Sequence, residues 1–220
     1  HSFPTRRSSD LADKQYSMIS HEDFTGQTIS YKDYEKFHCP LAGRYQLDNA
    51  VLALEIMRRL PTLGYPLSQE AIRLGLEKTA WPGRFTCLMK KPLFFIDGAH
   101  NEDAARRLRE SVETYFPGKR LIYIMGVFQD KEYEKIAAIM APLAKSVHTV
   151  NLPDEHRTLP AEELARVMQR HCPSDVIVQA EPSIQEAGRH ALSEADNKDI
   201  ILSFGSLSYL GQIIETVGKY

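Results

Sequence analysis

Beyond residue 82 the chain alternates short apolar runs with longer stretches of helical periodicity. The runs are LFFID (93–97), RLIYIMGVF (120–128), SVHTV (146–150), DVIVQA (175–180) and DIILSFG (199–205). Between and after them lie polar-apolar stretches at 102–116, 131–145, 160–172, 182–195 and 206–218. In the first, Ala104, Leu108, Val112 and Phe116 recur at steps of four, the spacing of one helix face. Apolar runs that do not alternate with polar residues suit strands buried on both faces. Runs of this kind, each followed by a helix, predict an α/β fold: a Rossmann-like, mainly parallel sheet with helices on both faces and right-handed crossovers.

The first third reads differently. Residues 12–38 are polar and mixed, and FTGQTISYKDY suggests short strands around a glycine turn. LDNAVLALEIMRRL predicts a helix with Ala50, Leu54 and Met57 near helical spacing, Asp48 or Asn49 as its cap, and Pro61 as its stop. SQEAIRLGLEKTA predicts a second helix capped by Ser68. These helices are expected to pack on a sheet outside their own stretch. The Pro-Gly breaker in WPGRF then marks a domain boundary, giving segments 12–82 and 83–220.

Composition narrows the class. Of 220 residues, 43% are apolar and 25% charged, enough for a real core, and a net charge of −2 offers no basic surface for nucleic acid or anionic lipid. No apolar run reaches the ~18 residues of a membrane span. Cys39, Cys87 and Cys172 are far apart and form no CxxC pair, so a reduced, cytoplasmic setting is the expectation. The opening residues HSFPTRRSSDL lack the apolar core of a signal peptide. They resemble a translated sequencing adapter and are set aside as an artefact, with the expectation that the native protein continues upstream of Ala12.

Chemistry concentrates where strands end. In doubly covered parallel sheets ligands bind beyond the carboxyl ends of the strands, and residues 97–101, 126–131, 156–157 and 205–206 all follow predicted strands. The sequence holds no GxGxxG after a strand, no GxxxxGK[ST], no HExxH and no GxSxG. The eight histidines show no metal-ligand spacing, so lone ones such as His148 and His190 read as structural or solvent-facing, and no metal ligand is assigned. IDGAHN is the specific feature. Asp97 suits ribose hydroxyls or a strand stop, Gly98 permits close backbone approach, and His100 can meet a carboxylate or phosphate. Arg84 in PGR can fork onto phosphate oxygens or sit exposed in its loop. Asn49 can read an adenine edge or serve as a cap.

In order, LAGRYQLDNAVLAL, WPGRF, FFIDGAHN, GVFQDKE, HRTLPAEEL and FGSLSYLG resemble the folylpolyglutamate synthase and dihydrofolate synthase family of the Mur ligase superfamily, over about residues 38–215. Departures are Tyr45 where the family has His, Glu102 where it has Pro, and DKE in place of an Asp-Lys-Asp triplet. The resemblance implies an ATP-dependent ligase that joins L-glutamate to folate or dihydropteroate through an acyl phosphate. It implies that 12–82 is the tail of a central ATPase domain and 83–220 a C-terminal Rossmann-like domain. By position, Asn49, Arg84 and Asp97 correspond to ATP contacts, and His100 and Ser206 to residues near the incoming glutamate. Mg²⁺ ligands and the P-loop are expected upstream, the isolated chain is expected to be inactive, and a monomer without nucleic-acid or membrane partners is expected. Two alternatives are a non-catalytic nucleotide-binding module and a cell-wall Mur-type ligase. The latter usually carries a Ser-Lys pair where this chain has Gly98-Ala99-His100.

Overall fold

A computed structural model describes residues 17–219; the adapter-like stretch 1–11 lies outside them. The chain divides between Trp81 and Pro82 into two compact units.

In the first unit, β1 (Ser17–Asp23), β2 (Gly26–Tyr31) and β3 (Tyr34–Cys39) form an antiparallel meander. Gly26, at φ +145, lets β2 start two residues after Phe24. Helices α1 (Tyr45–Arg59) and α2 (Gln69–Glu77) follow. Ile29, Tyr31 and Phe37 from the sheet share a core with Val51 and Leu54 of α1 and Ile72 and Leu76 of α2. Contrary to the expectation from sequence, these helices have their own sheet to pack on. Ser68 caps α2, accepting from the Ala71 amide at 3.1 Å. Asp48 and Asn49 do not cap α1: the helix begins earlier, with Arg44 at the N-cap and the Gln46 amide bonded to the Gly43 carbonyl at 2.8 Å. A 3₁₀ turn at Leu60–Leu63 holds Pro61 and closes at Gly64, φ +89.

The second unit is a six-stranded sheet in the order β4-β5-β9-β6-β7-β8. β4 (Thr86–Lys90) and β5 (Leu93–Ile96) are an antiparallel hairpin across Lys91-Pro92. β6 (Leu121–Met125), β7 (Ala144–Thr149), β8 (Ile177–Ala180) and β9 (Ile200–Phe204) run parallel to β5. The sheet is therefore mainly parallel, with β4 as its antiparallel edge. The last strand, β9, enters between β5 and β6.

Strand parity assigns the faces. Phe94, Ile201 and Ile122 are register partners, as are Phe95, Leu202 and Tyr123 one residue on. The first set packs with α6 (Ile184–Glu194) and α7 (Leu210–Val217) through Ala187, Ala191, Ile213 and Val217. α3 (Glu102–Tyr115), α4 (Tyr133–Met140) and α5 (Ala161–His171) pack in succession as a second helical layer. In α3 the buried positions are Ala105, Leu108, Ser111 and Val112. Ala105 takes the inward place that the four-residue stripe gave to Ala104, because 3.6 residues per turn drifts from a strict step of four. Burying both faces explains why the strands read as unbroken apolar runs.

Candidate functional site

Three strand ends meet at the carboxyl edge of the second unit. β5 leads into Asp97–Asn101 and then α3; β9, its neighbour, leads into Gly205-Ser206 and then α7. Neighbouring strands whose connections leave in different layers open a crevice between them, the usual ligand position in such sheets. The strand ends lie close: a Cβ on Gly205, whose φ is +116, would meet the Gly126 carbonyl oxygen after β6 at 2.2 Å. A Cβ on Gly98 would meet Leu207 Cδ2 at 2.3 Å. At Gly205 only glycine fits without moving backbone, whereas at Gly98 a side chain would have to displace Leu207.

Asp97 is the anchor. It is 4% exposed, and its own amide bonds to the Ser203 carbonyl at 2.9 Å, extending the sheet by one rung. Its Oδ2 accepts from the Phe85 amide and its Oδ1 from the Ala99 amide, both at 2.8 Å. Burial pushes the carboxyl up to about 6, against the pull of these two amides and the nearby charges of Arg84 and His100. One side chain thus ties the PGRF loop to the strand-end turn.

That tie fixes Arg84. Phe85 has φ +44, a region costly for a bulky residue, by about 1–3 kcal/mol. It is held there by the Asp97 carboxylate and by its ring, which stacks on Phe95 with centroids 4.8 Å apart and leans on Tyr115 at 5.7 Å. On the other side of Arg84, the Gly83 amide donates to Thr86 Oγ1 at 3.1 Å and the Gly83 carbonyl accepts from the Gly98 amide at 2.8 Å. The half-buried Arg84 side chain therefore leaves a rigid loop.

His100 sits next. Its Nδ1 donates to the Gly98 carbonyl at 2.7 Å, which orients Nε2 as the ring's other donor or acceptor. Asn101 caps α3, accepting from the Ala104 amide at 2.9 Å, so a helix N-terminus faces the same edge. Ser206 is 5% exposed; its Oγ accepts from the Ser208 amide at 3.2 Å and lies 2.9 Å from Ser208 Oγ. Beneath it Tyr209, fully buried, donates toward the carbonyls of Ile124 at 3.1 Å and Phe204 at 2.7 Å and meets Ser203 Oγ at 3.0 Å. Sequence reading missed Tyr209, although a tyrosine four residues past a strand-end glycine is a polar group that burial must satisfy.

The loops after β6 and β7 also join. Phe128 bridges to Thr158, the Gln129 amide bonds to the Arg157 carbonyl at 2.8 Å, and Arg157 reaches Asp130 at 3.1 Å. Arg84, Asp97, His100 and Ser206 thus belong to one edge. Asn49 belongs to the first unit: it is exposed on α1, donating to Gln46 Oε1 at 2.8 Å. The edge offers a guanidinium, an imidazole and a helix N-terminus. Its carboxylates do not converge on one point: Asp97 is buried and accepts one amide on each oxygen, and Asp130 pairs with Arg157 and Lys131. Such a donor set fits anionic groups and does not fit a divalent cation.

The sequence also hid a cluster on the α6 side. His148, Glu181 and His190 each place a ligand-type atom within 4.8 Å of the others.

Comparison with known proteins places this chain in a family. Residues 83–207 match the model of the Mur ligase glutamate ligase domain. The dihydrofolate synthase/folylpolyglutamate synthase of Bacillus subtilis is 28% identical over 86% of this chain and 44% of its own length. The folylpolyglutamate synthase of Lacticaseibacillus casei is 27% identical over 87% of this chain and 44% of its own. The chain thus spans somewhat under half the length of these relatives. Among solved structures, E. coli FolC in complex with ADP superposes with a TM-score of 0.73 at 21% identity, covering 92% of this chain and 46% of that one, which shows the shared fold.

Proposed function

The chain belongs to the Mur ligase family through its glutamate ligase domain, in the folylpolyglutamate synthase branch, and from that premise we propose that it forms part of the ATP and glutamate sites of an ATP-dependent folate ligase. In the reaction, the folate or dihydropteroate carboxylate attacks the γ-phosphate of ATP, giving an acyl phosphate and ADP. The amine of L-glutamate then attacks the acyl carbon, forms the amide and expels phosphate.

One observation carries the reading: the buried Asp97 carboxylate braces the PGRF loop and the IDGAHN turn together, setting Arg84 and His100 at one strand edge. Arg84 neutralises phosphate oxygens, a charge-assisted contact from a loop whose backbone is already fixed. Asp97 serves the ribose region: each carboxylate oxygen has two acceptor sites, and the amides use one apiece. His100 turns Nε2 toward the glutamate carboxylate, and Ser206 shapes the β9 loop beside it. Asn49, on the other compact unit, is the candidate reader of the adenine edge. Segment 12–82 is the tail of the ATPase domain in this reading, and 83–220 the domain that covers the nucleotide. Mg²⁺, when bound, neutralises the transferring phosphate; its ligands and the P-loop come from outside this sequence. The setting is cytoplasmic, the protein acts as a monomer, and the described residues hold no helix long and apolar enough to cross a membrane.

The test is kinetic, in the full-length ligase. Glutamate-dependent ADP release with folate or dihydropteroate as acceptor supports the reading, and Arg84→Ala should raise the KM for ATP. A full-length enzyme that releases ADP only with another amino acid, or none at all, overturns it.

A further inference from the structure

Further along the same rim, at the ends of β7 and β8, Glu181 stands between two imidazoles. His148 is the next-to-last residue of β7, Glu181 directly follows β8, and His190 lies on α6. The Glu181 side chain has no exposed surface, and its oxygens face one nitrogen each: Nδ1 of His148 at 2.7 Å and Nδ1 of His190 at 2.9 Å.

The far nitrogen of each ring also faces a carboxylate. Nε2 of His148 is 3.1 Å from Glu194 Oε1, and Nε2 of His190 is 3.7 Å from Glu186 Oε2. Glu186, His190 and Glu194 are spaced four apart, so all three share one face of α6. Glu194 in turn accepts from Ser146 Oγ on β7. Binding a cation through Nδ1 expels the proton that each ring shares there with Glu181, while Glu194 stays on the far nitrogen of His148, the carboxylate–histidine pairing that orients metal-binding imidazoles and raises their basicity.

We propose that His148, Glu181 and His190 form a site for a Zn²⁺-class cation, with Glu194 orienting the His148 ring. Two imidazoles and one carboxylate suit a four-coordinate ion whose last position takes water, and imidazole nitrogen discriminates against Mg²⁺ and Ca²⁺. Donors about 2.1 Å from a tetrahedral ion stand roughly 3.4 Å apart; the three ligand atoms here lie within 4.8 Å of one another, and each imidazole, now 2.7 or 2.9 Å from its own Glu181 oxygen, must back away from it to admit the ion. His190 can supply that movement, because its side chain is 47% exposed, which also gives the ion a way in from solvent. The ion would tie edge strand β8 and helix α6 to β7, independently of the strand-end chemistry.

The experiment uses the 220-residue chain after treatment with chelator and dialysis. Zn²⁺ is titrated calorimetrically, Co²⁺ by its visible absorption, and melting is followed with and without Zn²⁺. One equivalent of Zn²⁺ per chain, a tetrahedral Co²⁺ spectrum and a higher melting temperature are expected. His190→Ala, a half-exposed change that spares the core, should abolish binding, and Glu194→Gln, which removes the carboxylate on the far nitrogen of His148, should weaken it roughly 10- to 100-fold. Failure of the parent chain to bind, binding undiminished in His190→Ala, or equal affinity for Mg²⁺ would each overturn the proposal.

Discussion

Replacing Asp97 by alanine gives a prediction whose size changes with pH in a defined direction. The substitution strands the buried amides of Phe85 and Ala99, which the carboxylate now accepts at 2.8 Å each. Two unsatisfied buried donors cost about 4 kcal/mol together, taking roughly 2 for each. Against this stands the cost of burying the charge. The carboxyl rises from 3.8 to about 6 on folding, and about 2 pH units at 1.36 kcal/mol each make roughly 3 kcal/mol. The sign follows from proton counting. Between these values the folded state binds more protons than the unfolded state, so the wild-type contribution falls as pH rises from about 4 to 6 and is flat above. Alanine has no such dependence. The variant should therefore lose about 4 kcal/mol at pH 4 and only about 1 kcal/mol at pH 7.5. At roughly 4 °C per kcal/mol for a domain of this size, that is a melting drop of about 15 °C in acid and a few degrees near neutrality. Thermal melts at both pH values, with hydrogen exchange at Phe94–Ile96 to assign the loss to the second unit, provide the measurement. A cost that is constant with pH, or larger at pH 7.5, would refute the reasoning: it would mean that the two amides outweigh burial and hold the carboxylate in its charged form.

Three further outcomes concern the proposed function and are read with full-length enzyme unless stated. Arg84→Ala should raise the KM for ATP roughly 10- to 100-fold, the loss of one charge-assisted contact of about 1.5–3 kcal/mol, while the melting temperature stays within a few degrees because the loop is held by Phe85 and Thr86; an unchanged ATP titration would remove Arg84 from the phosphates. His100→Ala should impair glutamate use more than ATP binding in steady-state kinetics with each substrate varied, and an effect confined to ATP would move this imidazole to the phosphate side. The 220-residue chain alone should release no ADP with folate, glutamate, ATP and Mg²⁺, since its sequence offers no GxxxxGK[ST] loop to cradle the β- and γ-phosphates; glutamate-dependent ADP release at an enzymatic rate would defeat this reading.

What the sequence disclosed, and what it concealed, divides along the range of the interactions concerned. The parallel strands were legible because burial on both faces leaves an unbroken apolar run, as in Leu121–Met125. The strand ends were legible because Asp97 and Gly205 interrupt such runs abruptly. The insertion of β9 between β5 and β6 was not, since strand order depends on contacts a hundred residues apart: Phe94 pairs with Ile201 and Ile201 with Ile122. The three-stranded sheet of the first unit was read only as strands around a glycine turn, because β3, Tyr34–Cys39, carries Glu35, Lys36 and His38 among its few core positions. Its effect on α1 and α2 was missed entirely. Asp97 shows most clearly how a residue can be found and its neighbours not. An acid after an apolar run announces a strand end, but that its oxygens accept from Phe85 and Ala99 depends on a left-handed φ at Phe85 that no aromatic residue advertises. His148, Glu181 and His190 were invisible for a related reason: they lie on two strand ends and a helix, with no regular spacing, and only the packing of α6 on the sheet brings them together. Only the helical half of that cluster, Glu186-x3-His190-x3-Glu194, had a period to detect. The two sites thus rest on different physics. The strand-end edge follows from topology, which places every loop of a parallel sheet at one rim, so any acid, imidazole or guanidinium there converges with the others. The α6 cluster also starts from strand ends, those of β7 and β8, but it needs the packing of α6 to bring in His190, and its one fully buried carboxylate, Glu181, has an imidazole on each side.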